Sequence, residues 1–305
     1  RTDLAGSPSP LFLSAASPES LQRLALAWSR RLSDAPEDLA SLCFSAATTR
    51  NAERFRLVTV VCDRGEAAEN LAGWAAGRED VPVKMAGPVD GAPRVAFLFS
   101  GQGPDWEGVG RTLYAQNETF RAELELCDAA IYPLTGWHLV EALDSGQGCL
   151  AKNTAWVQPC IFAVQVAMAR LWLSWGLHPS AVIGQSLGEV AAAHIAGVLS
   201  LEDSARVVVA RAREMADPAC LGQTLEVSAT PEVLGPWLEA FPALALSGRT
   251  GPETCLVAGE REAAEQFTRS LEQAGITCRP LKVTVALHSP LVEAASRRLA
   301  VSLVG

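Results

Sequence analysis

The sequence predicts an α/β chain of three consecutive blocks, with a small antiparallel unit set late into a larger α/β one. Three observations predict it. Short apolar runs alternate with stretches of helical periodicity through most of the 305 residues. A strand, a tight turn and a helix follow one another without a break from Ala181 to Gly197. Between residues 222 and 281 the order of elements is βαββαβ. Composition agrees, since 49% of residues are apolar and 19% charged, the balance of a globular chain able to form two or three domains.

In the first block Pro10–Ser14 reads as a strand, and Ser17 with Glu19 opens a helix reaching about Leu32. A helix over Asp38–Thr48, a strand over Phe55–Val61 and a helix over Glu66–Ala76 follow, and Gly87–Pro93 has the composition of a linker. The second block opens with the strand Val95–Phe99 and alternates helices and strands past Ser186, which predicts a mainly parallel sheet with helices on both faces. In the third, Thr224–Ala229, Leu244–Ser247, Cys255–Ala258 and Thr277–Val285 read as strands. Two helices interleave them, Pro231–Phe241 with proline in its first turn and Arg261–Ala274. The chain then returns to the larger unit near His288, giving domains at 1–90, at 91–221 with 282–305, and at 222–281.

Several function classes are excluded. A net charge of −9 without a basic run argues against nucleic acid as a partner. The eight cysteines never form C-x-x-C, so they read as reduced core thiols of a cytoplasmic protein and not as metal ligands. No apolar run is expected to reach the ~18 residues that span a bilayer, and no signal peptide opens the chain, so no membrane partner is expected. Arg1 and Gly305 read as cuts from a longer polypeptide.

The chemistry centres on Gly184-Gln185-Ser186-Leu187-Gly188. Glycines on both sides of Ser186 admit a sharp turn that a Cβ would crowd, exposing the hydroxyl at a helix N-terminus where an oxyanion is favoured. The same pattern also fits an ordinary tight turn. A nucleophilic serine needs a base, and four histidines are available. His194 lies two helical turns on, roughly 12 Å away. His138 and His178 stand at helix edges, whereas His288 follows a strand and precedes Ser289-Pro290, in the kind of strand-end loop where catalytic groups collect. On the helix Leu201–Met215, Arg206 and Arg213 share one face, and Arg211 points about 140° away from Arg206, beside Ser204, Val207 and Val208. A guanidinium directed at a core needs an anion, which is either an internal Asp or Glu or a substrate carboxylate. Ser100-Gly101-Gln102-Gly103 is either a simple turn or a loop aiming the Gln102 N–H at the same oxyanion as the N–H of Leu187.

Six segments, Phe97–Gly103, Val157–Ala163, Leu173–Pro179, Gly184–Val198, Leu199–Arg213 and Ala286–Pro290, occur in the order and spacing of one family. The chain resembles the acyltransferase domain of a modular type I polyketide synthase, and its first 85 residues resemble the linker that follows the ketosynthase. The resemblance implies an α/β-hydrolase-like large subdomain with an inserted ferredoxin-like small subdomain, preceded by a small α/β linker domain. It implies Ser186 as nucleophile, His288 as general base and acid, Arg211 as partner of a malonyl-type carboxylate, and the N–H groups of Gln102 and Leu187 as oxyanion hole. The acyl group would pass from coenzyme A to Ser186 and then to the phosphopantetheine thiol of an acyl carrier protein, beside a neighbouring ketosynthase domain, in secondary-metabolite biosynthesis. No tightly bound cofactor and no metal is implied.

The chain departs from the family pattern at Gln185 (usually histidine), Ser100 (usually proline) and Thr250 (usually asparagine). Users of methylmalonyl in the family read Tyr-Ala-Ser-His before the base, and malonyl users His-Ala-Phe-His. Here Val285-Ala286-Leu287-His288 matches neither, and the bulk of Leu287 and Leu187 favours malonyl. Leu187, Val285 and Leu287 are therefore the candidate selectivity residues. Family members continue with further strands and helices that carry the acceptor orienting the histidine, and no acid of this chain stands out as a third triad member. An acyl hydrolase that clears carrier proteins and a non-catalytic scaffold domain are the alternatives. The hydrolase would have no use for a carboxylate clamp.

Overall fold

The computed structural model describes residues 8–34, 36–88, 94–102, 109–144, 154–281 and 283–304. The chain divides into two units, 1–93 and 94–305.

In the first unit, alternation dictates a one-sided sheet. Strand β1 (Ser9–Ala15) buries Leu11, Leu13 and Ala15 and pairs antiparallel with β2 (Phe55–Val61), which buries Leu57, Thr59 and Val61. The Thr59 hydroxyl is satisfied by the Pro82 carbonyl at 3.0 Å. Helices α1 (Pro18–Asp34), α2 (Leu39–Thr48) and α3 (Arg64–Ala75) complete the core. Asp38 and Asp63 cap α2 and α3, each accepting a backbone N–H at 2.8 Å. A third strand, β3 (Val83–Ala86), pairs antiparallel with β2 and has no counterpart in the sequence reading. It has four residues and buries only Val83, too little alternation to register. Part of the expected linker, residues 89–93, lies outside the described residues, as does Cys149.

The second unit begins with β4 (Ala96–Phe99), which pairs in parallel with β5 (Ala181–Gly184), Phe99 opposite Gly184. The expected alternation of helices and strands between them is not what forms. Among the described residues this stretch carries helices only: α4 (Arg111–Gln116), α5 (Glu118–Thr135), α6 (Leu139–Asp144) and α7 (Thr154–Ser174). Helix α5 buries Phe120, Leu124, Cys127 and Ile131 at helical spacing. Helix α7 is apolar nearly all round, which conceals any period. At 21 residues it is long and apolar enough to cross a membrane, correcting the expectation that no stretch reaches that length. Yet 72% of its most apolar window is buried inside the unit, where α7 packs on α5, α8 (Gly188–Ile195) and α9 (Leu201–Met215) as a central core helix.

Residues 223–280 form β6 (Gln223–Val227), α10 (Pro231–Glu239), β7 (Leu244–Gly251), β8 (Thr254–Gly259), α11 (Arg261–Gln273) and β9 (Cys278–Pro280). The sheet order β7-β8-β6-β9, antiparallel throughout, is the ferredoxin-like arrangement. The last strand is shorter than the predicted Thr277–Val285. Pro280 supplies no N–H. Beyond it the chain keeps only scattered backbone bonds among the described residues, Leu281 N–H to the Thr224 carbonyl at 2.8 Å and Gly222 N–H to the Thr284 carbonyl at 3.0 Å, before an isolated bridge pairs Val285 with Leu221. Helix α12 (Glu293–Ser302) returns to α9, with Arg298 bound to Glu214 and, at 2.7 Å, to Asp217. The α/β class read from the sequence is the class observed.

Candidate active site

Strand β5 aims the chain at Ser186. The Gln185 N–H still bonds the Phe99 carbonyl at 2.9 Å, and then the backbone turns sharply. Ser186 has φ 54° and His288 φ 56°, and no other non-glycine residue among those described has positive φ. Such left-handed backbone costs about 1–3 kcal/mol per residue and persists where surrounding structure enforces it. Gly184 and Gly188 are not themselves left-handed, so the strain falls on the serine. The glycines are needed for close approach: a Cβ at Gly188 would lie 2.2 Å from the Phe99 carbonyl oxygen, and one at Gly184 2.3 Å from Glu189 Cα. Helix α8 thereby starts directly behind the serine.

His288 arrives from 102 residues away on a loop pinned at both ends. Before it, the Ala286 N–H donates to the Cys220 carbonyl at 3.0 Å. After it, the Ser289 hydroxyl donates to the Ala286 carbonyl at 2.6 Å and accepts the Leu291 N–H at 3.3 Å. His288 Nε2 lies 3.0 Å from Ser186 Oγ. From α9, Arg211 Nη2 donates to the same Oγ at 3.0 Å. With the imidazole neutral, the serine hydroxyl donates to His288 while accepting from Arg211.

The electrostatics favour that protonation state. Dehydration of the imidazole, and then the Arg211 charge, hold His288 below its ordinary 6.5, with Glu189 opposing. Burial pushes Arg211 down to about 10, again opposed by Glu189, which leaves the guanidinium charged at neutral pH. Among the described residues no carboxylate forms a salt bridge or hydrogen bond with Arg211. Of the two partners the sequence left open, the internal ion pair is therefore not the arrangement seen. Its Nη1 instead donates to Gln158 Oε1. The other face of α9 is ordinary surface, where Arg206 lies 3.7 Å from Asp203 and the exposed Arg213 reaches the Leu134 carbonyl.

The loop after β4 lies against the serine turn, for a Cβ on Gly101 would sit 3.2 Å from the Gln185 carbonyl oxygen. Gln165 of α7 holds this loop, its Nε2 donating to the Ser100 carbonyl at 2.7 Å. The N–H groups of Gln102 and Leu187 have no hydrogen-bond partner among the described residues, and Leu187 stands at the N-terminus of α8. Gly103, also part of the expected loop, lies outside the described residues.

Other candidates lie elsewhere. His194 bonds at Nδ1 to the Leu199 carbonyl (3.2 Å) and at Nε2 to Arg170 (3.3 Å), and His138 pairs with Asp128 at 2.7 Å while stacking on Tyr132. His178 makes no bond to the serine. Of the three candidate selectivity residues, Leu187 is buried in the large core. Val285 is buried with Cys220, Val292 and Ala295, and Leu287 packs against that cluster. An apolar groove of about 630 Å³ runs along β4 and α7 past Leu98, Val164 and Trp172, but Ser186, His288 and Arg211 do not line it. Sequence reading gave no role to Gln158, Gln165 or Glu189. Two glutamines seven residues apart within the apolar stretch from Val157 to Met168 were the signal available for the first two.

Residues 96–305 match the family model described as acyl transferase domain. The chain belongs to the acyl transferase domain family. Residues 9–71 match a second model, described as CurL-like, PKS C-terminal. Among curated relatives, erythronolide synthase EryA2 of Saccharopolyspora erythraea is 36% identical over 94% of the chain, which spans 8% of that synthase's length. The acyltransferase domain from module 8 of the salinomycin polyketide synthase superposes with TM-score 0.85 at 30% identity, over 97% of this chain and 70% of that one. The acyltransferase domain of SpnD, solved with 2-(pent-4-yn-1-yl)malonyl, gives TM-score 0.83 at 31% identity, over 98% and 70%. The chain is thus an acyltransferase domain of the modular type I polyketide synthase kind.

Proposed function

We propose that this acyltransferase domain moves a malonyl group from coenzyme A to the phosphopantetheine thiol of an acyl carrier protein through an ester on Ser186. The observation that carries the reading is the placement of Ser186 Oγ at 3.0 Å from both a neutral base, His288, and a cation, Arg211. His288 Nε2 takes the hydroxyl proton as Oγ attacks the thioester carbonyl. The N–H groups of Gln102 and Leu187 receive the oxyanion. The C–S bond then breaks, and the coenzyme A thiolate takes the proton back from the imidazolium. A carrier-protein thiol, deprotonated by the same histidine, attacks the ester and returns Ser186 to its starting state.

Arg211 binds the free carboxylate of the malonyl group, a task for which its hold on an uncharged glutamine leaves its charge available. The partners are an acyl carrier protein and a ketosynthase of the same polypeptide, in keeping with relatives many times longer than this chain. A cytoplasmic setting belongs to the same proposal and is supported by free thiols at all seven described cysteines. Malonyl is preferred over methylmalonyl on the bulk of Leu287, which precedes His288 and is only partly buried, and of Leu187, which follows the nucleophile. The substituted malonyl bound by the SpnD domain belongs to the same dicarboxylic class.

Mass spectrometry of the intact chain after incubation with malonyl-, methylmalonyl- and acetyl-CoA tests this. The expected result is a malonyl adduct that disappears in Ser186→Ala. In Arg211→Ala, malonyl loading falls at least about tenfold relative to acetyl, the order of a lost charge-assisted bond. Unchanged malonyl selectivity in Arg211→Ala would return the site to the hydrolase reading, and no adduct from any thioester would return it to the scaffold reading.

A further inference from the structure

We infer that Gln158 is a positioning residue whose single side-chain amide ties the carboxylate-binding arginine to the oxyanion loop. The inference rests on the acyl-transfer reading of Ser186 and Arg211 and extends it to a residue that touches neither the nucleophile nor the base.

Gln158 is fully buried on α7, among Val157, Ile161 and Phe162. A primary amide in such surroundings persists only if its donors and acceptor are used. All three of its partners belong to the site or border it. Oε1 accepts from Arg211 Nη1. Nε2 donates to the side-chain carbonyl of Gln102 at 3.2 Å and lies 3.5 Å from Met215 Sδ, one turn beyond Arg211 on α9. Seven residues further along α7, on the same face, Gln165 grips the main chain of Ser100 in the same loop. Helix α7 therefore presents two amides to the loop bearing the Gln102 N–H, and only Gln158 also holds the guanidinium.

Glutamine meets these demands where similar side chains fail. Leucine fills the volume but leaves Arg211 Nη1 and the Gln102 carbonyl without partners. Glutamate accepts from Arg211 but cannot donate to Gln102 when ionised, and its charge would oppose an incoming substrate carboxylate. A neutral acceptor fixes the guanidinium without neutralising it. Movement of Arg211 toward a bound carboxylate is transmitted through the same amide to Gln102, which links recognition of the acyl group to placement of the oxyanion donor.

Gln158→Leu and Gln158→Glu in the whole chain, assayed with malonyl-CoA and acetyl-CoA, test this. In Gln158→Leu, KM for malonyl-CoA rises and kcat falls, for a combined loss of about ten- to a hundredfold, the scale of a small misplacement of reacting groups. For acetyl-CoA, which has no carboxylate to clamp, kcat falls and KM does not change. In Gln158→Glu the rise in malonyl KM is the dominant effect. On an Arg211→Ala background, Gln158→Leu changes the malonyl KM no further. A readout free of turnover is phenylglyoxal labelling of Arg211 followed by peptide mass, which proceeds several-fold faster in Gln158→Leu than in the parent chain.

A folded Gln158→Leu variant with the parent's malonyl-to-acetyl ratio and labelling rate overturns the inference, as does a parallel loss on both substrates with KM unchanged. If the leucine variant does not fold, Gln158→Glu decides, since an unaltered malonyl KM there overturns the inference equally. Failure of the underlying reading is distinct, because it shows as unchanged selectivity in Arg211→Ala alone.

Discussion

The turn at Ser186 and the loop at His288 share one backbone departure, φ 54° and 56°, on different foundations. The serine turn is built into a strand and a helix, and two glycines let main chain touch main chain behind it. The histidine loop follows a single bridge and is held mainly by the Ser289 side chain and a few backbone bonds. Both place a reacting group in strained backbone. One does so by local geometry, the other by tertiary pinning, so the two should fail differently.

The largest effect is expected at the serine turn. Gly188→Ala drives a Cβ to 2.2 Å from the Phe99 carbonyl oxygen, and backbone there cannot yield without moving β4. Thermal or urea unfolding should show a loss of about 3 kcal/mol, together with loss of serine acylation. Gly197→Ala is the contrast, with φ 76° and open space around the added methyl. It should cost about 1–2 kcal/mol and leave acylation of the folded fraction intact.

A smaller effect is expected at the histidine loop. Ser289→Ala removes the bond to the Ala286 carbonyl and the cap on Leu291. Stability should fall by only about 1 kcal/mol, while kcat drops about tenfold as His288 loses its hold. A Ser289→Ala variant that keeps the parent's kcat, or one that loses as much stability as Gly188→Ala, would erase the distinction between the two foundations.

The smallest effect concerns pH. Only unprotonated His288 can accept the serine proton, so kcat/KM falls as pH drops through the histidine's pKa, which lies below 6.5. Arg211 is one cause of that depression, so Arg211→Met should move the acid limb to higher pH. Glu189 acts in the opposite sense, so Glu189→Gln should move it lower. Measuring the limb with acetyl-CoA keeps the carboxylate-binding role of Arg211 out of the comparison.

Much of this was legible along the chain because it is local. Helix α9, capped by the Ser200 hydroxyl at 3.0 Å from the Asp203 N–H, and the outlying position of Arg211 on it follow from a 3.6-residue period. The βαββαβ order follows from short strands with clear punctuation. Where the reading failed, the local signal was weak or misleading. Helix α7 is apolar nearly all round and so shows little period, β3 is too short to alternate, and Pro280 interrupts a run that otherwise reads as one strand.

By itself the sequence determined the serine turn, the face on which Arg211 stands and, through six spaced segments, the family. The family resemblance named His288, and tertiary structure decided its contact with the serine, because a 102-residue separation carries no local signal of a 3.0 Å approach. It also decided that, among the described residues, the arginine rests on a buried amide and the serine hydroxyl, since a guanidinium can be satisfied by any acceptor the fold brings within reach. Periodicity says that a side chain turns inward, and only packing says what it meets there.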